Sequence, residues 1–86
     1  MVVHDKVKEI IANQLAVNIK DITDNTTFSD INADSLDVVD IIMALESEFN
    51  LQIPDEEVDN FNTIGDLASF ITKILKSWFD NIGLIW

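Results

Sequence analysis

The amino-acid sequence predicts an all-α fold, a small four-helix bundle of three longer helices and a short third one, and three observations carry that prediction. Apolar residues recur at helical spacing in three separate stretches. Only two glycines and one proline interrupt 86 residues, so those periods run almost unbroken. No stretch alternates apolar and polar residues as a half-buried strand would. A chain of this length makes one domain with a modest core. It contains no cysteine, so packing must hold the fold without a disulfide or a thiolate metal site.

The first helix is predicted over residues 3 to 16, where Val3, Val7, Ile10, Ile11 and Leu15 form one face and Lys6, Lys8, Glu9 and Asn13 the other. From Val17 to Asp34 the pattern breaks into Asn, Asp, Thr and Ser. This reads as a long loop pinned to the core by Ile19, Ile22, Phe28 and Ile31, and loops of that length tend to be functional. The second helix begins at Asp34 or Ser35, with Asp37 adding a first-turn acid, and stops near Asn50. Pro54 followed by Asp55-Glu56-Glu57 opens the short third helix, which is expected to end around Asn60. Thr63, three residues before Asp66, caps a fourth helix with apolar positions Ile64, Leu67, Ala68, Ile71, Ile74, Leu75 and Trp78.

The second helix carries two apolar stripes. Val38, Ile41, Ile42, Leu45 and Phe49 form the natural core face, which leaves Leu36, Val39 and Met43 on nearly the opposite side, beside Asp40 and Glu46. A helix in so small a bundle is hardly buried on both sides, so the second stripe reads as a docking surface rimmed by acids, the alternative being cover by the third helix or the C-terminal tail.

The formal net charge is −11, and residues 21 to 72 hold 13 of the 16 acids and none of the five lysines. Such a field repels phosphate backbones and anionic lipid, which argues against nucleic-acid and membrane-surface binding, and it attracts basic patches on other proteins. The N-terminal residues lack the apolar length of a signal peptide, and no stretch approaches the roughly 18 apolar residues of a membrane span, so a cytoplasmic monomer is expected. No pair of nucleophile and base, metal cluster or Gly-rich phosphate loop is present, so the chain is not expected to be an enzyme. The one histidine, His4, reads as solvated.

The run Ala33-Asp34-Ser35-Leu36-Asp37-Val38-Val39-Asp40-Ile41-Ile42-Met43-Ala44-Leu45-Glu46 resembles the prosthetic-group segment of acyl carrier proteins. The similarity extends to Val7-Lys8-Glu9-Ile10-Ile11, Asp24-Asn25-Thr26-Thr27-Phe28, Phe49 to Glu57 and Thr63-Ile64-Gly65-Asp66-Leu67, about residues 3 to 76 in all. The resemblance implies a 4′-phosphopantetheine on Ser35, transferred from coenzyme A by a partner transferase that uses Mg²⁺. The thiol of that arm would hold acyl groups as thioesters for fatty-acid or related acyl-chain biosynthesis. It further implies that Asp34, Leu36, Asp37, Val39, Asp40, Met43 and Glu46 dock acyl-chain-processing enzymes with basic patches. Val7, Ile10, Phe28, Ile41, Leu45 and Ile71 would line the interior that receives the cargo. A phosphodiester on Ser35 would lie at the positive end of a helix dipole, and no residue of this chain is placed to activate the serine for its own modification.

Three features depart from the family pattern. Asn32 stands where a glycine is usual, and asparagine tolerates the left-handed region best of the ordinary residues. The approach from Phe28 to Ser35 is one residue shorter than usual. Residues 78–86 continue past the carrier domain, expected over 1–77, as an apolar extension expected to pack on the bundle. Two alternatives from another class are an acidic docking module without a prosthetic group, in which Ser35 is a plain helix cap, and an EF-hand-like calcium loop starting at Asp30. The latter fails at its sixth position, Ser35 in place of Gly, and at its twelfth, Ile41. A specialised carrier for polyketide or lipid-modifying pathways is a third alternative, within the same class.

Overall fold

The computed structural model describes residues 3–81, with side chains to residue 77. Four helices follow one another, α1 (Val3–Leu15), α2 (Ser35–Phe49), α3 (Asp55–Val58) and α4 (Ile64–Asn81), and among the described residues no strand forms. α1 packs against both α2 and α4. At its centre Val7 and Ile11 of α1 meet Ile41 and Leu45 of α2 and Ile64, Leu67 and Ile71 of α4, all fully buried. Each such side chain contributes about 1.5–3 kcal/mol relative to an exposed one, so these seven positions define the core.

The connection between α1 and α2 is more ordered than its composition predicts. It contains two short 3₁₀ turns, Ile19–Asp21 and Ser29–Ile31. Asn18 caps the first through its side chain, and Thr27 and Asp30 exchange hydrogen bonds across the start of the second. Ile22 is buried and Phe28 and Ile31 pack on the core as expected, but Ile19 is 43% exposed and pins nothing. The Asn residues of this loop sit on its polar turns, which carry Ile19 outward with them.

The start of α4 is tied to this loop. Thr63 and Asp66 form a reciprocal cap, with Asp66 N donating to Thr63 Oγ1 at 3.1 Å and Thr63 N to Asp66 Oδ2 at 3.2 Å. The next free donors of the first turn reach across the molecule. Ile64 N donates to the carbonyl of Thr26 and Gly65 N to that of Asp24, both at 2.9 Å. A side chain at position 65 has no room, because a Cβ there would stand 2.8 Å from the Asp24 carbonyl oxygen. The side chain of Asp24 is equally occupied. Its Oδ1 receives Lys8 Nζ at 3.1 Å and His4 Nδ1 at 3.2 Å, so His4 is paired and not simply solvated. Asp24 thus joins the first turns of α1 and α4.

One boundary is corrected. α3 spans a single turn and ends at Val58, because Asn60 N and Phe61 N donate to Glu57 O and Val58 O in tighter three-residue turns. Those turns bring the Phe61 ring against Phe70 of α4, with centroids 5.2 Å apart. α4 runs past residue 77 as far as Asn81, so it enters the C-terminal extension. The expected packing of that extension falls on side chains outside the described residues.

Gly65→Ala is expected to lower stability by about 1–3 kcal/mol through overpacking, although Ala favours a helix over Gly by about 1 kcal/mol. A thermal melt checks it, and an unchanged or raised Tm would contradict the loop contact. Hydrogen bonds first from His4 and then from Lys8 hold the Asp24 carboxyl below its ordinary value of 3.8. A depressed carboxyl stabilises the fold above its unfolded value and loses that effect as pH falls through the folded one. The difference in Tm between the native chain and Asp24→Asn should therefore be widest near neutrality and close progressively below pH 3.8. Both Asp24 and its partners are partly exposed, so the difference is expected to be small and to shrink with salt.

Candidate functional site

The site is built on the first turn of α2. Asp34, in extended conformation, is the N-cap, and its Oδ1 accepts Asp37 N at 2.9 Å while Asp37 Oδ2 accepts Asp34 N at 3.2 Å. This reciprocal box leaves Ser35 as the first helical residue, exposed to solvent and with no part in the cap. The turn that delivers the chain to Asp34 depends on Asn32, which adopts the left-handed conformation at φ 58° and ψ 31°. That is the backbone state a glycine would supply, and Asn reaches it at modest cost. Ala33 N then donates back to Phe28 O at 2.9 Å and closes the loop against α2.

Ser35 stands at the edge of a cleft of about 640 Å³. Phe28, Ala33 and Asp34 line its near end, Val38 and Val39 of α2 one wall, and Asp55, Val58, Asp59 and Phe61 the opposite wall. Its lining is mostly apolar with three aspartates among it, Asp34, Asp55 and Asp59, and its size falls in the range of small-molecule sites. Sequence reasoning placed Phe28 near this space but missed Asp55, Val58, Asp59 and Phe61. Their spacing after Pro54 puts Asp55, Val58 and Asp59 on one face of a helical turn, a signal a short element obscures.

Beside the cleft the second apolar stripe of α2 is open, and Val39 borders both. Leu36 is 75%, Val39 52% and Met43 60% exposed. Asp40 lies exposed beside them, whereas the carboxylates of Asp34 and Asp37 are turned back on backbone N–H groups. Glu46 departs furthest from the expected role. It is half-buried, and its Oε2 accepts Ile53 N at 2.9 Å in the connection to α3. The two acids of the calcium-loop alternative, at its first and fifth positions, serve separate backbone donors, Asp30 that of Thr27 and Asp34 that of Asp37.

The chain matches the phosphopantetheine attachment site family over residues 5–71, most of its length, and belongs to that family. Over 70 residues it is 53% identical to the acyl carrier protein of Clostridium perfringens strain SM101, and the same identity holds for strain 13, the match covering 80% of this chain and 92% of the relative. Among solved structures it resembles the acyl carrier protein from Enterococcus faecalis, with a TM-score of 0.69 and 33% identity over 83% of this chain and 91% of that one. Within the family the chain is thus one of the acyl carrier proteins, carriers whose cargo travels on covalently attached 4′-phosphopantetheine. The residues present fit such an arm, since an exposed hydroxyl at a helix N-terminus opens onto a cleft large enough to receive part of it. Among the described residues no helix is long and apolar enough to cross a membrane.

Proposed function

We propose that Ser35 carries the phosphopantetheine arm and that this chain is a carrier with no catalytic activity of its own, working in the cytoplasm as a monomer. The observation that carries the reading is the capping of α2 by Asp34 and Asp37, which frees the Ser35 hydroxyl from any duty in the helix. A docking module without a prosthetic group would have no use for that freedom.

Ser35 Oγ would hold the group as a phosphodiester, next to first-turn N–H groups and the positive end of the α2 dipole, which offset the repulsion of the surrounding acids. When bound, the arm supplies a terminal thiol on which acyl groups are held as thioesters. Val38, Val39, Val58 and Phe61 would cover the apolar part of arm and cargo, and the carboxylates of Asp55 and Asp59 would accept hydrogen bonds from amide N–H groups at the rim. His4 belongs to the Asp24 cluster on α1, so activation of Ser35 falls to a partner transferase.

The docking face for that transferase and for later acyl-chain enzymes is the stripe of Leu36, Val39 and Met43. Asp40 is its free rim charge, and Asp34, Asp37 and Glu46 add to the field while bound to backbone. The apolar stripe supplies contact area and the acids steer basic patches.

After incubation with coenzyme A, Mg²⁺ and a broad-specificity transferase, the intact mass should rise by one phosphopantetheine, and Ser35→Ala should abolish the gain while leaving the helical circular dichroism unchanged. A modified Ser35→Ala chain, or an unmodified native one, defeats the assignment. Asp40→Lys is expected to slow the transfer on the order of several-fold at low salt and less at high salt, without lowering Tm. Rates equal to those of the native chain at low salt would remove Asp40 from the docking face.

A further inference from the structure

We infer that Glu46 is a positioning residue, whose carboxylate fixes the α3 wall of the cleft beside Ser35. The inference rests on the reading of Ser35 as the arm-bearing residue and concerns how the space next to it is held.

Three backbone donors downstream of α2 converge on Glu46. Its carbonyl accepts Asn50 N at the left-handed C-cap and Leu51 N at 3.1 Å, and its Oε2 accepts Ile53 N at 2.9 Å. The last of these bonds is charge-assisted and partly buried, conditions under which a carboxylate acceptor is strongest. It arrests the chain one residue before Pro54, the N-cap of α3, and seats the Ile53 side chain in the core at 4% exposure.

Besides the packing of Val58 and Phe61 on the core, α3 has few ties. Among the described residues its backbone runs alongside no other helix, and its single turn is too short to be stable by itself. Its position follows from that packing and from its two connections, each of which is anchored by a carboxylate. Glu46 holds the entry through Ile53 N. Asp66 holds the exit through Asn62 N at 3.0 Å and Thr63 N at 3.2 Å. Asp66 does so as part of the α4 cap, so its removal disturbs α4 as well. Glu46 acts on α3 alone, across seven residues of sequence. Since Asp55, Val58 and Asp59 form one wall of the cleft and Val38 and Val39 of α2 the other, the Glu46 bond sets the distance between the walls.

Charge and reach separate this role from docking. Glu46→Gln removes the charge but keeps an acceptor at the same distance, whereas Glu46→Asp keeps the charge and withdraws the acceptor by one methylene. In the unmodified chain, amide exchange of Ile53 followed by NMR should accelerate at least tenfold in Glu46→Asp and at least threefold less than that in Glu46→Gln, which loses only the charge assistance, with the Val58 methyl and Phe61 ring resonances shifting further in the former. In the holo form loaded with an octanoyl thioester, hydrolysis should be at least threefold faster in Glu46→Asp than in Glu46→Gln, as a displaced wall uncovers the cargo. Equal effects of the two substitutions on exchange or on thioester lifetime, or a larger effect of Gln, would overturn the inference. The exchange measurement needs no prosthetic group, so its outcome is independent of whether Ser35 accepts the arm.

Discussion

Backbone N–H groups freed at the ends of helices need acceptors, and this fold is organised by the oxygens that supply them. A short helical bundle has many such ends relative to its core, and each unpaired donor that is shielded from water costs on the order of 1–3 kcal/mol. The chain answers with one device used three times: a side chain oxygen and an aspartate three residues on exchange hydrogen bonds with each other's backbone. Thr27 with Asp30, Asp34 with Asp37 and Thr63 with Asp66 all do so. Where the local device runs out of acceptors, the fold borrows distant ones. The carbonyls of Asp24 and Thr26 receive the next two donors of α4, which is what binds the long loop to the last helix.

This changes the meaning of the charge. The net value of −11 suggests a negative field kept for solubility and steering. Many of the acids also work inside the molecule. Asp30, Asp34, Asp37, Glu46 and Asp66 each accept a backbone N–H through the side chain. Several of them stand at helix N-termini, where the macrodipole lowers the cost of crowding like charges. Asp24 and Glu48 receive the cations of α1, with Lys6 Nζ 3.1 Å from Glu48, and hydrogen bonding to Glu48 raises the Lys6 ammonium above its ordinary value. Asp40 is left as the acid of the α2 stripe whose side chain is free to meet a partner.

The helices and their caps were legible in the sequence because they rest on local spacing. The period of Val38, Ile41, Ile42 and Leu45 names the core face of α2, and the open stripe of Leu36, Val39 and Met43 follows from it as the remainder. The left-handed turn at Asn32 was expected from the resemblance, in which a glycine is usual at that position, and asparagine tolerates the same backbone state. What escaped were features that depend on residues far apart. Nothing local distinguishes Glu46, bound to Ile53, from the exposed acids near it, and nothing announces that Gly65 is small because the Asp24 carbonyl lies against it. The far wall of the cleft was missed because α3 is one turn long, too short to show a period.

The arrangement separates two tasks that a carrier must combine. On the proposed reading, attachment at Ser35 requires a hydroxyl in a fixed, accessible position, which α2 would supply through the anchoring of Ile41 and Leu45 in the centre of the bundle. Cover for the cargo requires a wall whose spacing can be set without disturbing that anchor. On the proposed reading α3 would meet this need, since it stands outside the helix packing of α1, α2 and α4, rests on the core through Val58 and has connections bonded to Glu46 and Asp66. The core can thus stay close-packed, as protein interiors must, while the space beside Ser35 is defined by two hydrogen-bonded connections.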